Sequence, residues 1–362
     1  MTFLKKQIDQ ALLIVAKYQG NLPFHLYIKE IFRNNKNWGS KDRKNYRNIC
    51  YTYFRNYQIL KNLSPEEKSQ WIFENLSNTE NKTSNTQAYS FLEGHISQQI
   101  DINLLNIDFA QEPDIFFRTL PKYETVFLKD LENREIEIKK IDAVSGVYSL
   151  PSKIDIESHI ARGHGYIQDL ACQLAIQELS KHSNLNSVWD CCSGAGGKSL
   201  DIALKHPTSR IFCSDKRGSI LQNLKLRFKT LGLKIPDSQE IDLLKDLDNL
   251  NDGFLNQKLV IADLPCTGSG TWRRNPENIV YFNEANIQTY ANLQYQIIRG
   301  LDRFISKDGL LYYMTCSVFK AENETNVLKF IQPYGYEIVF EKYFGSTHHG
   351  SDTIYGCLLK KK

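Results

Sequence analysis

The chain has 362 residues, enough for two or three domains and a large buried core. Hydrophobic residues make up 41% of the chain, as in ordinary globular proteins, and the formal net charge of +4 says little about partners. No apolar run approaches the ~20 residues that a membrane-crossing helix needs, which argues against a transmembrane segment.

The first 61 residues predict a small basic helical domain. Their apolar residues recur at helical spacing with breaks at 21–23 and 38–40, and Ser40, followed by charged residues, is typical of a helix N-cap. The stretch holds twelve Lys or Arg residues and only three acids, a surplus that would attract polyphosphate. A solvated basic surface explains the surplus equally well. We place the helical domain at residues 1–76.

The middle of the chain predicts a linker followed by a small mixed subdomain. Residues 77–87, SNTENKTSNTQ, contain no apolar side chain, and we interpret residues 77–112 as a linker. Residues 113–145 then read as strand-like IFFRT, helical YETVFLKDLENREI and strand-like IEIKKI. This order predicts an α+β subdomain at residues 113–165.

From residue 166 to the end, short apolar runs alternate with helical segments. This alternation predicts a doubly wound, mainly parallel α/β sheet over residues 166–362. The predicted strands are 187–190, 210–215, 258–263, 309–315, 336–340 and 354–359, and the predicted helices include 216–232, 284–305 and 320–332. Ligands of such sheets bind at the carboxyl ends of the strands, so functional residues should follow the apolar runs directly.

The first strand end carries a glycine-rich turn, DCCSGAGGKS, at residues 190–199. Glycines let the backbone approach a ligand closely, and the following helix supplies free N–H groups. A GxGxxG dinucleotide loop fails on spacing, and a Walker A loop requires glycine where Cys192 stands. A site for S-adenosylmethionine (SAM) fits best, because it needs an acid at the strand end and a flexible loop.

Two further acids follow neighbouring strands. Asp215 ends the second predicted strand, where a carboxylate can accept hydrogen bonds from both ribose hydroxyls. An isolated acid there is more often only a helix N-cap. Asp242 follows a weakly marked strand, QEID, and could reach the adenine edge of the same ligand.

Two cysteines follow two other strands. The segment 263–276 reads DLPCTGSGTWRRNP, so Cys266 follows an acid and a proline and precedes two arginines that could hold phosphate. Cys316 lies in Thr315-Cys316-Ser317 at the end of the GLLYYMT strand. A single strand-end cysteine is more often a core residue than a nucleophile, but two on the ligand-binding edge favour chemistry.

These motifs, in this order and spacing, resemble the RsmB/Sun (Nop/Sun) family of RNA 5-methylcytosine methyltransferases, whose motifs read like DxCAAPGGK, DAPCSGxGxxRRxP and TCS followed by ENE. This chain has DCCSGAGGK, DLPCTGSGTWRRNP and TCSVFKAENE, preceded by Gln168-Asp169 at the position of the family's QD pair. The likeness covers residues 113–362. Residues 39–55 also resemble, less tightly, the end of an RsmB-type NusB-like helical domain.

The chain departs from the family pattern at three places. Ala195 replaces the usual proline, Ser193-Gly194 replaces a pair of alanines, and Leu264 replaces alanine. None of these changes removes a chemical group that the reaction requires, although they leave the affinity for the donor and the rigidity of the loop open.

The resemblance implies a class I, Rossmann-like SAM-dependent methyltransferase and a role for each motif residue. Cys316 would be the nucleophile, Cys266 would release the product, Asp263 would bind the cytosine edge and Lys198 would contact the base or the donor. Residues expected around the cofactor are Asp190, Cys191, Cys192, Ser193, Gly194, Ala195, Gly196, Gly197, Lys198, Asp215, Arg217, Asp242, Asp263 and Pro265. Residues expected to bind RNA are Lys41, Arg43, Lys44, Arg47, Arg273 and Arg274.

Chemistry alone does not decide which cysteine attacks. Carbon 5 of cytosine is a poor nucleophile, and a thiolate that adds to carbon 6 makes it enamine-like. Either strand-end cysteine could provide that thiolate, since a related class of DNA enzymes uses its Pro-Cys cysteine. The target base must lie in a loop or be flipped out, because pairing hides carbon 6.

The resemblance further implies an RNA substrate, most naturally ribosomal RNA, with transfer RNA as the alternative. The rivals are methylation of another substrate, an inactive RNA-binding assembly factor of the same fold, and a P-loop ATPase. The eight cysteines form no CxxC pair or zinc-spaced cluster, which indicates a reduced, cytoplasmic chain without a metal site. We expect a monomer without membrane contact.

Overall fold

The computed structural model describes residues 3–77, 89–152, 154–250, 254–345 and 350–362. The chain divides into two compact units, each assembled from separated segments. The first unit comprises Met1–Gly94, Asp101–Glu112 and Thr271–Glu284, and the second comprises His95–Ile100, Pro113–Gly270 and Ala285–Lys362.

The α-helices, in chain order, agree in most places with the periodicity of the sequence. They are α1 Phe3–Lys17, α2 Phe24–Asn34, α3 Ser40–Arg55, α4 Tyr57–Leu60, α5 Pro65–Ser77, α6 Ile102–Ala110, α7 Glu124–Asn133, α8 Glu157–Ala161, α9 Leu170–His182, α10 Gly197–Lys205, α11 Gly218–Thr230, α12 Glu277–Val280, α13 Ala285–Leu301 and α14 Glu324–Tyr334.

The strands belong to two sheets. They are β1 Ile115–Thr119, β2 Lys139–Lys140, β3 Val147–Leu150, β4 Gly165–Ile167, β5 Ser187–Asp190, β6 Arg210–Asp215, β7 Asp237–Glu240, β8 Gln257–Asp263, β9 Ile305–Thr315, β10 Tyr336–Gly345 and β11 Thr353–Lys361.

The first unit is helical, as the sequence predicts, and aromatic side chains pack in its core. Tyr18, Phe24 and Phe54 are buried and meet edge to face at ring-centroid distances of 4.8–5.9 Å. The predicted breaks fall between α1, α2 and α3, but the N-cap of α3 is Gly39 rather than Ser40. The N–H of Gly39 donates to Asp42 Oδ2 at 3.1 Å, which satisfies one open donor of the helix start. The NusB-like character of this unit stays a prediction.

Residues 271–284, which we assigned to the methyltransferase domain, pack in the helical unit instead. The fully buried Trp272 ring meets Phe109 at 5.7 Å and Phe282 at 4.8 Å. The Tyr281 hydroxyl donates to the Tyr18 carbonyl at 2.9 Å. A segment that is far along the chain thus joins the N-terminal core, a long-range contact that no local pattern signals.

The predicted linker 77–112 needs a correction. Residues 78–88, which include most of its polar stretch, lie outside the described residues. The remainder is structured: Ser77 ends α5, and residues 102–110 form α6, which Asp101 caps by accepting from the N–H groups of Asn103 and Leu104. Leu105 and Phe109 are buried. Leu105 and Phe109 form an apolar helix face that packs in the core. The polar residues around them in the sequence obscured this helical pattern.

The subdomain at 113–165 forms a four-stranded antiparallel sheet in the order β2-β3-β1-β4, completed by residues 165–167. Phe117 of β1 packs on Phe127 of α7 with ring centroids 4.7 Å apart, and both are fully buried. The predicted strand IEIKKI shortens to Lys139–Lys140. The predicted α+β character is otherwise present.

The large sheet has seven strands in the order β10-β11-β9-β8-β5-β6-β7. Strands β5 to β9 are parallel, whereas β11 is antiparallel to both β9 and β10. This is the doubly wound, mainly parallel sheet that the sequence predicts, with an antiparallel edge. The carboxyl ends of β5, β6, β8 and β9 meet at one edge of the sheet, where the motif residues lie.

Over the residues described, none of the helices is both long and apolar enough to span a bilayer.

Candidate active site at the strand ends

The glycine-rich turn after β5 folds over the end of β6. The N–H of Gly194 donates to Asp215 Oδ2 at 3.0 Å, so the turn is fastened to the last residue of β6. Asp215 Oδ1 accepts from the N–H and the Nε of Arg217, each at 3.0 Å. Asp215 is buried, whereas the Arg217 side chain is 59% exposed. A ligand could therefore displace Arg217 and take its place on the carboxylate.

Gly196 is the N-cap of helix α10 and has a conformation that requires glycine. Its φ is +78°, and a Cβ there would lie 2.7 Å from Leu224 Cγ. Gly194 also has a positive φ, +52°, but a Cβ there would meet no described atom within 4 Å. The turn therefore combines one closely packed glycine with one that faces open space, where a ligand can approach the backbone.

Two buried polar groups beside this turn lack partners among the described residues. Asp190 is fully buried, and its Oδ2 accepts from Ser199 at 2.6 Å while Oδ1 has no partner. Burial raises the pKa of Asp190 to about 6, although the Ser199 hydrogen bond opposes that shift. Both amide atoms of Gln168 are also without partners, next to Gly197. Buried polar groups are normally hydrogen-bonded, so these atoms are suited to pair with a polar ligand that approaches the turn.

SAM fits these residues. Its ammonium and carboxylate groups can satisfy the unpaired atoms of Asp190 and Gln168, and Asp215 can accept from the ribose hydroxyls. The third acid of the prediction, Asp242, follows β7 as expected. Its Oδ1 accepts from the N–H of Leu244 at 3.0 Å, so it also shapes a turn. Its contact with adenine stays a prediction.

The other residues predicted around the cofactor differ in what they can offer. The Cys191 side chain is fully buried in the core under the sheet, so only its backbone could face a ligand. Ser193 Oγ donates to the Ser214 carbonyl at 3.1 Å. Cys192 and Ala195 are partly exposed. The Pro265 carbonyl accepts from Gln294 Nε2 at 3.0 Å and is thereby turned towards the protein.

The two strand-end cysteines lie side by side. Cys266 Sγ and Cys316 Sγ are 3.2 Å apart, and both side chains are partly exposed. The hydrogen bond to Cys316, together with burial, raises the pKa of Cys266. Parallel pairing of β8 with β9 produces this contact, since Asp263 pairs with Met314 in the ladder.

Lys198 and Asp263 form an ion pair next to the cysteine loops. The Lys198 ammonium donates to Asp263 Oδ2. Burial is the largest single effect and lowers the pKa of Lys198, but Asp263, Cys172 and Asp190 together raise that pKa above its usual value, so Lys198 is a cation. The four residues predicted for catalysis thus form two contacts at the same edge of the sheet, Cys266 with Cys316 and Lys198 with Asp263.

Glu322 is a central residue of this site that we did not single out. It is fully buried and accepts from the Thr267 N–H at 2.9 Å, from Ser317 Oγ at 2.6 Å and from Gln294 Nε2 at 2.9 Å. Thr267 and Ser317 directly follow the two cysteines in the chain. Burial raises the pKa of Glu322, whereas these hydrogen bonds lower it. One carboxylate therefore fixes both cysteine loops.

Asn323 links the loop after Cys316 to the end of strand β9 by hydrogen bonds. Its Nδ2 donates to the Ser317 carbonyl at 2.8 Å, and its Oδ1 accepts from Thr315 Oγ1 at 2.5 Å. The only sequence signal for Glu322 and Asn323 was the ENE triplet of the resemblance, and nothing in the sequence pointed to Gln294.

The residues predicted to bind RNA divide into two groups. Arg273 is 4% exposed, and its guanidinium contacts Gln111 at 2.8 Å and Asp108 at 3.7 Å inside the helical unit. A buried arginine with protein partners does not fit the surface phosphate contact that we predicted, and that prediction is wrong for Arg273. The others are exposed or half-buried: Lys41, Arg43, Lys44, Arg47 and Arg274.

Known proteins resemble the methyltransferase part of the chain. A family model described as 16S rRNA methyltransferase RsmB/F matches residues 177–343. A probable ribosomal RNA small subunit methyltransferase B from Synechocystis is 30% identical over 175 residues, which are 48% of this chain and 39% of the relative. A protein of the same name from Coxiella burnetii is 28% identical over 58% of this chain and 49% of the relative. The chain therefore matches under half the length of each.

Solved structures share the fold at lower identity. The crystal structure of PH0851 covers 100% of both chains with a TM-score of 0.72 and 17% identity. NSun6 from Pyrococcus horikoshii, solved with SFG, covers 72% of this chain and 94% of its own with a TM-score of 0.60 and 15% identity. At these identities the likeness shows a common fold alone. The match over residues 177–343 makes this part of the chain similar to the RsmB/F methyltransferases, and the solved structures share its fold.

Proposed function

We propose that this chain transfers a methyl group from SAM to carbon 5 of a cytidine in RNA through a covalent cysteine–cytosine intermediate. The observation that carries the proposal is the pair of strand-end cysteines, whose sulfur atoms lie 3.2 Å apart at the sheet edge that also carries the Lys198–Asp263 ion pair. Methylation of a small molecule or a protein requires no such pair, whereas pyrimidine carbon-5 chemistry uses both an attacking and a releasing group.

Cys316 is the nucleophile in this mechanism. The Cys266 thiol, whose pKa is raised by its hydrogen bond to Cys316, can donate its S–H to a Cys316 thiolate. Cys316 then adds to carbon 6 of the cytosine, and carbon 5 becomes the nucleophilic end of an enamine. SAM, when bound, supplies the electrophilic methyl group that carbon 5 receives.

Asp263 and Lys198 hold the base during this addition. The Asp263 carboxylate can accept a hydrogen bond from the exocyclic amino group of cytosine. The Lys198 cation, which already donates to Asp263, can donate to a ring acceptor on the same edge of the base. Both groups lie on the strand-end edge, as the cysteines do.

Cys266 completes the reaction. Once Cys316 is bonded to carbon 6, its sulfur no longer provides the hydrogen bond and the charge that raise the pKa of Cys266, so the Cys266 thiol can release its proton to solvent and become a thiolate. It removes the carbon-5 proton, the carbon 5–carbon 6 double bond re-forms, and the Cys316 thiolate leaves. The methylated base is then free, Cys266 is again a thiol and Cys316 is again a thiolate.

The substrate we propose is small-subunit ribosomal RNA. The curated relatives that match the methyltransferase domain are named for that RNA. Transfer RNA is the alternative, and RNA fractionation decides between the two.

The test is mass-spectrometric nucleoside analysis of RNA from a strain that lacks this gene, incubated with the protein and SAM. We expect new 5-methylcytidine with the native protein and none with Cys316→Ala. Cys266→Ala should accumulate an RNA–protein adduct that denaturing gels resolve, and Cys266→Ala/Cys316→Ala should lose it. Turnover by Cys316→Ala, or an adduct that persists in the double variant, contradicts the assigned roles. Absence of 5-methylcytidine from every RNA fraction contradicts the function.

A further inference from the structure

A groove with a cationic lining lies between α2 and α3 in the helical unit. It has a volume of about 700 Å³ and is lined by His25, Lys29, Phe32, Arg33, Arg43, Arg47 and Tyr51. Only Arg43 and Arg47 of this set are among the residues that the sequence predicted for RNA. Lys41 and Lys44 belong to the same helix but do not line the groove in the described structure.

The cations of the groove form two rows. Lys29 and Arg33 are four residues apart on α2, and Arg43 and Arg47 are four residues apart on α3. Four residues advance a helix by about 6 Å, so each row presents two charges along one face at a spacing comparable to successive phosphates of an extended strand. Lys29, Arg33 and Arg47 are exposed.

No described acid lines the groove to neutralise these rows. Residues 24–55 contain eight Lys or Arg residues and two acids, Glu30 and Asp42. Asp42 does not line the groove, and it accepts from Gln7 Nε2 at 2.9 Å and from the Gly39 N–H at 3.1 Å. The groove therefore concentrates positive charge and favours a polyanion.

Aromatic groups accompany the charges. Tyr51 is half-buried and is held edge to face against Phe24 at 5.6 Å, and His25 is exposed at the same groove. Arg43 Nε donates to the Trp38 carbonyl at 2.9 Å, which fixes one wall. Surfaces on which cations alternate with fixed aromatic rings are typical of proteins that bind single-stranded nucleic acid. The phosphates contact the cations, and the bases stack on the rings.

We propose that this groove binds a single-stranded segment of the RNA substrate. Backbone phosphates contact Lys29, Arg33, Arg43 and Arg47, and a base stacks on Tyr51. The proposal rests on the proposed function for the identity of the polyanion, and it adds a substrate contact in the helical unit, away from the strand-end residues in sequence.

The test is fluorescence anisotropy of the full chain with a labelled, unstructured RNA dodecamer, over a series of salt concentrations and without SAM. Arg33→Gln/Arg47→Gln should weaken binding by about tenfold or more and reduce the magnitude of the log–log salt slope by about 1.4, or 0.7 for each lost phosphate contact. Lys229→Gln/Lys234→Gln, exposed cations of the other unit, removes the same charge and should change affinity less than about threefold.

A second pair of variants tests the stacking. Tyr51→Leu should weaken RNA binding by about tenfold without changing the salt slope, whereas Tyr51→Phe keeps the ring and the affinity. Circular dichroism of each variant verifies the fold. Any of three results overturns the proposal. They are equal losses of affinity in both charge variants, unchanged binding in Arg33→Gln/Arg47→Gln, and competition by polyglutamate that is as effective as competition by RNA.

The same samples distinguish failure of the groove from failure of the proposed function. If the native protein forms 5-methylcytidine while the groove variants bind RNA normally, only the groove is wrong. If the groove variants lose RNA binding but the native protein forms no 5-methylcytidine, the groove stands and the proposed function fails.

Discussion

Asp190 illustrates how one buried residue can make the stability of this protein depend on pH. Its pKa is raised from 3.8 to about 6, chiefly by burial, whereas in the unfolded chain it titrates near its ordinary value. Between those two pH values the folded protein binds a proton that the unfolded chain releases. The stabilisation from this residue is therefore complete below about pH 4 and is lost as the pH rises through about 6.

We predict that Asp190→Asn removes this titration. The difference in free energy of unfolding between Asp190→Asn and the native protein should change by about 3 kcal/mol between pH 4 and pH 7, given two pKa units. Urea unfolding without SAM at intervals of one pH unit measures it. A constant difference across that range contradicts the prediction.

At the scale of elements, the loops after β8 and β9 are joined by a buried carboxylate. Glu322 accepts from Thr267 and Ser317, which lie next to the two cysteines, and from Gln294 of α13. Removing one partner from such a network leaves buried donors unsatisfied. The spacing of the two sulfur atoms thus depends on a residue that does not itself touch them.

We predict that Glu322→Gln lowers the rate of methyl transfer in a single turnover by at least about tenfold, because an amide N–H₂ would oppose the donors of Thr267 and Ser317. The affinity for SAM, measured by calorimetry, should stay within about twofold, since the turn between β5 and α10 makes no described hydrogen bond with Glu322. Glu337→Gln, an exposed carboxylate on β10, is the control. An unchanged rate, or an equal loss of SAM affinity, would count against this role.

At the scale of the whole molecule, the helical unit and the methyltransferase fold share one stretch of chain. Residues 271–284 follow directly on the Pro-Cys loop but are buried among the N-terminal helices, with Trp272 and Glu277 almost inaccessible to solvent. The two units are therefore not separable by a single cut.

We predict that a chain of residues 113–362 aggregates or binds a hydrophobic dye, because it exposes Trp272, Ile279 and their apolar neighbours. The measurement compares its yield in the soluble fraction and its dye fluorescence with those of the full chain. Trp272→Ser in the truncated chain should partly restore solubility. A soluble, dye-negative truncated chain would show that the segment folds without the helices.

Much of the fold follows from local pattern. The alternation of apolar runs and helices predicted the parallel core of the large sheet, since strand and helix periodicities are local properties of the sequence. The same reasoning did not predict α6, and it predicted a strand over the whole of IEIKKI where only Lys139–Lys140 form one. Both elements depend on packing against distant residues.

The sequence by itself determined the chemistry available to this protein: two cysteines and an acid at predicted strand ends, and a glycine-rich turn that carries a lysine and can hold a methyl donor. These residues are encoded in short motifs whose geometry follows from parallel strands ending at one edge. Only the tertiary structure decided that the sulfur atoms are 3.2 Å apart, that Glu322 fastens their loops, and that Arg273 is buried instead of facing RNA. Those outcomes depend on contacts between residues far apart in the chain, which periodicity and motif spacing do not encode.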